Sequence, residues 1–209
     1  MTSLEAAMPL ILASNSAARQ SMLRQAGLDF TLLPSGLDEK SLKRELQRQN
    51  APAPQLAAAL ARAKAGSIAQ IRPDALVIGA DQALSCEGDL FDKAADRAAA
   101  AVALKSLAGR CHELHAAVCV MQGERLLWQH TGTARLWMRP LSDDSIAGYL
   151  DRAGAEVLWS VGCYQIEGLG VQLFERIEGD YFTILGLPLL PLLAFLRTQT
   201  ESTWESAWQ

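Results

Sequence analysis

ALVIGA, residues 75–80, runs straight into Asp81-Gln82, and this stretch decides the fold. An unbroken apolar run with Val77 and Ile78 at its centre reads as a buried strand. Such a strand needs helices packed on it, and the sequence supplies one immediately before: Gln55 to Ile71, rich in alanine and leucine. Behind the strand, Glu87-Gly88 has the composition of a hairpin turn.

The same alternation continues outward. Pro9 to Ala13 (PLILA) reads as a short strand, followed by Ser14-Asn15-Ser16 and a helical pattern from Ala17 to Ala26 that stops at Gly27. Ser14 or Ser16 can cap that helix. Phe30 to Leu33 reads as a strand ended by Pro34-Ser35-Gly36, and Glu39 to Gln49 as a polar helix or loop. Asp96 opens a helix to Leu107, two long strands flank Gln122-Gly123, and Ser142 caps a helix ending near Asp151. Gly162 to Asp180 is glycine-rich and charged, and Pro188 to Arg197 is a closing helix. The sum is an α/β fold with a mixed central sheet flanked by helices. Residues 1–8 form an amino-terminal extension, 9–197 a single domain, and 198–209, with Trp204 and Trp208, a loosely held tail.

Composition narrows the function. The net charge of −4 is spread along the chain without a basic stripe, which excludes a nucleic-acid polymer as partner. An acidic chain that binds polyphosphate must gather basic groups locally and recruit a metal. Cys86, Cys111, Cys119 and Cys163 are scattered without a C-x-x-C pair, as expected of reduced thiols in a cytoplasmic protein. Met1 to Pro9 is too short and too weakly basic for a signal peptide. Ile184 to Leu196 is shorter than the ~20 residues of a spanning helix, and Pro188 and Pro191 interrupt it, so no membrane segment is expected.

Several residues fit poorly in a purely structural scheme. Arg19 puts a cation in the first turn of a helix, where it is unfavourable by a few tenths of a kcal/mol unless an anion is near. The backbone N–H groups beside Ser14 could receive that anion. Lys64 lies between Leu60 and Ile68 on one helical face, so it either snorkels to the surface or points into a polar cavity. A lone desolvated lysine predicts that Lys64→Met preserves or slightly raises stability. Asp81 follows a buried strand, at the strand end where open α/β sheets place ligands, and a carboxylate there needs a partner or a metal. Asp38-Glu39 and Asp92-Lys93 are solvated loops when taken singly. Taken together with Arg19, Lys64 and Asp81, they supply the carboxylates and cations that a metal-bound polyphosphate requires.

These residues sit inside longer stretches that resemble one family over nearly the whole chain. LILASNSAAR (10–19), Asp38-Glu39, VIGADQ (77–82), FDK (91–93), LAGRCHELHAAV (107–118) and YQIEGLGVQLFERIEGDYFTILGLPL (164–189) are similar to the Maf (septum formation inhibitor-like) nucleoside triphosphate pyrophosphatases. The resemblance implies a Maf/ITPase-like fold of two lobes around a cleft, a homodimer, and a cytoplasmic house-cleaning role in nucleotide metabolism. It implies hydrolysis of the α–β phosphate bond to a monophosphate and pyrophosphate, with Mg2+ or Mn2+ as cofactor. Asp81 would accept the proton of the attacking water and lie beside the metal, with Glu39 as the other metal-side carboxylate. Ser14, Arg19, Lys64 and Lys93 would hold phosphates, the two lysines also acting in catalysis.

Three positions concern the base. The family's dTTP/UTP branch has paired arginines after the serine motif, a threonine after Gly-Ala-Asp and a glutamine before Gly-x-Gly. Here these are Ala18 then Arg19, Gln82, and Glu167. Gln82 and Glu167 resemble the 7-methyl-GTP branch, while Ala18 matches neither. The expected substrate is therefore 7-methyl-GTP or another modified nucleotide. The alternatives are dTTP and UTP, or a nucleotide-binding regulator of cell division without significant catalysis.

Overall fold

The computed structural model describes residues 8–199. The expected tail lies outside these residues apart from Thr198 and Gln199, which continue the last helix. Of the expected amino-terminal extension only Met8 lies inside. Strands are β1 (Leu10–Leu12), β2 (Thr31–Leu32), β3 (Leu76–Cys86), β4 (Asp89–Phe91), β5 (Cys111–Gln122), β6 (Arg125–Met138) and β7 (Phe174–Glu178). Helices are α1 (Ala17–Gln25), α2 (Glu39–Arg48), α3 (Ala53–Ala69), α4 (Arg97–Leu107), α5 (Asp143–Ala153), α6 (Tyr181–Ile184) and α7 (Leu189–Gln199). The sheet runs β2-β1-β3-β5-β6-β7, with β4 also on β3; β1 pairs in parallel with β2 and β3, and the other pairings are antiparallel. The expected α/β fold with a mixed sheet is what forms.

Strand β3 is the spine. It pairs with β5 from Val77 to Ser85 along one edge. On its other edge, β1 takes Leu76–Ile78 and β4 takes Leu84–Cys86. Residues 79–83 are left between these two neighbours with no strand beside them. Alternation then sorts the side chains: Val77 and Ala83 join an apolar cluster with α3, while Ile78 and Ala80 join one with α1 and α7.

Gly79 sets the distance between α3 and β3. A Cβ there would lie 2.1 Å from the Ala61 carbonyl oxygen and 2.7 Å from the Ala65 Cβ. Only glycine admits that approach, and the alanines of α3 complete it. Lys64 is thereby carried down beside Asp81, two residues along the same face.

A third apolar cluster, farther along β5 and β6, gathers α4, α5 and the segment around Cys163 and Tyr164. Side-chain caps hold helix ends as read from the sequence, Asp96 accepting from Ala99 N–H and Ser142 from Ser145 N–H. No helix among the described residues is long and apolar enough to cross a membrane.

Candidate active site

The unpaired stretch of β3 is filled by the segment after β1. Ala13 N–H donates to the Ile78 carbonyl at 2.8 Å, and Arg19 reaches the next exposed carbonyl, that of Ala80, with Nη1 at 2.9 Å. Arg19 Nε donates to the Gly186 carbonyl at 2.8 Å, and Nη1 also lies 3.4 Å from Ser14 Oγ. The guanidinium thus takes the place of a missing strand neighbour and clamps three segments together. Nη2 makes no hydrogen bond among the described residues, so it is the nitrogen left for an incoming anion. Burial lowers the Arg19 pKa, partly offset by the negative charges of Asp81 and Glu39. Ser16, not Ser14, caps α1, accepting from Arg19 N–H. Ser14 Oγ instead accepts from Ser16 N–H at 3.2 Å and is buried.

Lys64 does not snorkel. It is 6% exposed, and its Nζ lies 2.6 Å from Asp81 Oδ1 and 2.8 Å from Glu39 Oε2. Glu39 is the first residue of α2, whose cap is Asp38 accepting from Ser41 N–H, so the polar stretch is a helix and aims Glu39 into the cleft. The placement of Asp81 at a strand end needs correcting. It sits in the middle of β3, opposite Ala117 of β5. The strand continues because Lys64 neutralises the carboxylate, while the end of β1 keeps its edge open. Two carboxylates on one ammonium also reverse the expected effect of Lys64→Met, since removing the cation leaves Asp81 buried and unpaired.

Lys93, just beyond β4, lines the same cleft and makes no ion pair or hydrogen bond among the described residues. Its pKa is lowered, first by desolvation in the cleft wall and then by the positive charges of Arg19 and Lys64. A cation held near two others without a partner is arranged for an anion. Its neighbour Asp92 pairs instead with Lys43 on α2, joining the two sides of the rim.

Ser14, Ala18, Arg19, Glu39, Lys64, Asp81, Gln82, Asp92, Lys93 and Glu167 line one cleft of about 1180 Å³, whereas Asp38 serves as the cap of α2 and does not line it. Ala18 lies on its wall beside Arg19. The Gln82 amide nitrogen donates to the carbonyls of Thr183 at 3.2 Å and Ile184 at 2.9 Å, so Gln82 fastens α6 to β3. Glu167 is exposed in the cleft, and its carboxylate has no hydrogen bond or ion pair among the described residues. Sequence reading missed Lys40, Lys43 and Arg44, which face the cleft from α2, and Trp159 and Tyr164, which also line it. The three cations sit at i, i+3 and i+4, a spacing that marks one helical face once Glu39–Arg48 is accepted as a helix.

Among the described residues no three His, Cys, Asp or Glu side chains gather as a metal cage. The donor set suits a cation that shares its shell with phosphate and water. Asp81 Oδ2 and Glu39 Oε1 carry no hydrogen bond among the described residues, and one or two carboxylates suffice for magnesium beside a polyphosphate.

The model of the Maf family, described as "Maf-like protein", matches residues 9–199. The chain belongs to the Maf family. It is 51% identical over 191 residues to the nucleoside triphosphate pyrophosphatase of Nitrobacter winogradskyi, covering 91% of this chain and 94% of that one. The protein of the same name from Granulibacter bethesdensis is 50% identical over 94% of this chain and all of that one. The 7-methyl-GTP pyrophosphatase of Rhizobium meliloti is 48% identical over 90% of this chain and 94% of that one. A solved HAM1 protein from Coxiella burnetii aligns with 63% of this chain and 73% of that one at 13% identity and a TM-score of 0.40. The Maf match thus takes in the whole cleft, from the Ser14 loop to Glu167.

Proposed function

We propose that the cleft hydrolyses 7-methyl-GTP to 7-methyl-GMP and pyrophosphate with the help of a divalent metal, Mg2+ or Mn2+. At the coarser level the chain is a nucleoside triphosphate pyrophosphatase, a hydrolase acting on an acid anhydride, by family and by relatives at about half identity. The observation that carries the hydrolytic part of this reading is the buried ammonium of Lys64 shared by Asp81 and Glu39 in the cleft.

The chemistry follows from what each group offers. Asp81, with one oxygen held by Lys64, presents the other to accept the proton of a water attacking the α-phosphorus in line. Lys64 holds that carboxylate in orientation and keeps a positive charge beside it. Lys93 and Arg19 Nη2 receive the negative charge of the departing pyrophosphate. The N–H groups at the start of α1, beside Ser14, add further donors for phosphate. A divalent metal would be held by Glu39 Oε1 and lie beside Asp81, and would supply charge neutralisation that these cations alone do not. Positioning and electrostatics account for most of the acceleration in such transfers.

Glu167 supports the choice of base. Its carboxylate only accepts hydrogen bonds, and guanine offers N1–H and an exocyclic amino group side by side. Uracil and thymine offer a single imide N–H between two carbonyls. Methylation at N7 makes guanine cationic, which favours a carboxylate and fits the small neutral Ala18 where the other branch carries arginine.

Two measurements test the proposal. Asp81→Asn should lower kcat by at least ~10²-fold with the fold retained, the usual loss for a general base. A screen of 7-methyl-GTP, GTP, dTTP and UTP should rank 7-methyl-GTP first by kcat/KM. A preference for dTTP or UTP would overturn the base assignment, and an active Asp81→Asn would overturn the mechanism.

A further inference from the structure

Trp159 is 77% exposed, an unusual position for the largest side chain of a folded core. It ends a 3-10 turn, Ala155–Trp159, and lines the cleft on the same segment as Glu167. The other two tryptophans of the described residues are covered: Trp128 stacks on Phe195 with centroids 5.3 Å apart, and Trp137 carries the Arg176 guanidinium 4.5 Å from its centroid. The ring of Trp159 has no aromatic or cationic partner among the described residues.

The backbone that carries it is nevertheless fixed. Val157 is buried below, and its carbonyl accepts from Ser160 N–H at 3.2 Å. Gly162 has φ +84, and a Cβ on it would lie 2.7 Å from both the Leu84 and Tyr164 side chains. Tyr164 bonds His112 Nε2 at 2.7 Å, and Tyr149 donates to the Cys163 carbonyl at 3.2 Å. Trp159 and Glu167 therefore flank a buried anchor, and both reach the cleft from it. An apolar face held open to water on a rigid support, in the same cleft as an unpaired carboxylate, suits a flat and positively charged ring system.

We propose that Trp159 is a specificity-determining residue, the platform on which the substrate base stacks while Glu167 engages its edge. This rests on the reading that the substrate is 7-methyl-GTP, because an N7-methylated guanine brings the positive charge that an indole face rewards over a neutral base. The ring holds ground state and transition state alike, so its loss raises KM and leaves kcat in place.

The test compares wild type, Trp159→Ala and Trp159→Phe on 7-methyl-GTP and GTP, together with tryptophan fluorescence during titration with 7-methyl-GMP. Expected are a KM for 7-methyl-GTP raised roughly 10-fold in Trp159→Ala, a smaller rise for GTP, and recovery of most of the loss in Trp159→Phe. Wild-type emission should be quenched by 7-methyl-GMP, and the quench should vanish in both variants. Equal KM values in wild type and Trp159→Ala, or a quench that survives the substitution, would overturn the platform even if 7-methyl-GTP remains the best substrate. If another triphosphate is preferred while 7-methyl-GMP still quenches through Trp159, the platform stands and the substrate reading fails. A different preference with no quench overturns both.

Discussion

Strands β3 and β5 each carry a buried polar cluster, and the two are built differently. On β3, Arg19, Lys64 and Asp81 are each under a tenth exposed and all carry charge, opening onto the cleft. On β5, His112 is 1% exposed, bonded to Tyr164 and flanked by Phe174, and burial holds both polar rings neutral: His112 is pushed down to about 4 and Tyr164 well above its ordinary range. With Glu39 the charged cluster sets two carboxylates against two cations, so each member depends on the others. The neutral cluster is stable without partners of opposite charge, but it resists protonation. One is arranged for phosphate chemistry, and the other braces the segment that carries Trp159 and Glu167.

Breaking the charged cluster gives the largest expected effect. Lys64→Met should lower stability by about 3 kcal/mol, because Asp81 loses its cation inside the fold while Glu39 can turn to solvent. The double variant Lys64→Met with Asp81→Asn should recover part of that loss. Denaturant melts of the three proteins check this. A single variant as stable as wild type would mean that Lys64 and Asp81 do not form the ion pair described.

That sign could not be read from the sequence, for a definite reason. Periodicity placed Lys64 on the apolar face of its helix and marked it as odd, but contact with Asp81 and Glu39 depends on Gly79 admitting α3, which is a property of packing. Asp81 was legible as a site residue, while its position in the middle of β3 was not, because an aspartate after ALVIGA has the composition of a strand end. The β7 segment FERIE was hidden for a similar reason. Its Glu175, Arg176 and Glu178 face solvent, so only Phe174 and Ile177 carry the apolar signal. Most helices and the long hairpin were legible from caps and turns. Trp159 was not, since nothing local distinguishes an exposed tryptophan from a buried one.

The neutral cluster should respond to acid. In the unfolded chain His112 takes a proton near pH 6.5, in the folded one only near pH 4, so its contribution is fully present above 6.5 and is lost as pH falls towards 4. By pH 4.5 the loss should approach about 2.5 kcal/mol. His112→Phe should be less stable near neutral pH, since Tyr164 loses its partner, yet its stability should fall less steeply across this window. Parallel pH profiles for wild type and variant would contradict the assignment.

At Glu167, where the base is proposed to bind, the effects should be smaller. Glu167→Gln should narrow the preference for 7-methyl-GTP over UTP by roughly 10-fold, the low end of the range for mispairing a polar group, because Glu167 is exposed rather than buried. Steady-state kinetics on both substrates measure it. An unchanged ratio would mean that Glu167 does not read the base.

The central claim is that the charged cluster directs water onto the α-phosphorus, and hydrolysis in 18O-labelled water with Mg2+ tests it most directly. The account predicts one 18O atom in the nucleoside monophosphate and none in the pyrophosphate, with formation of both lost in Asp81→Asn. Label in the pyrophosphate, or release of orthophosphate and a nucleoside diphosphate, would contradict it.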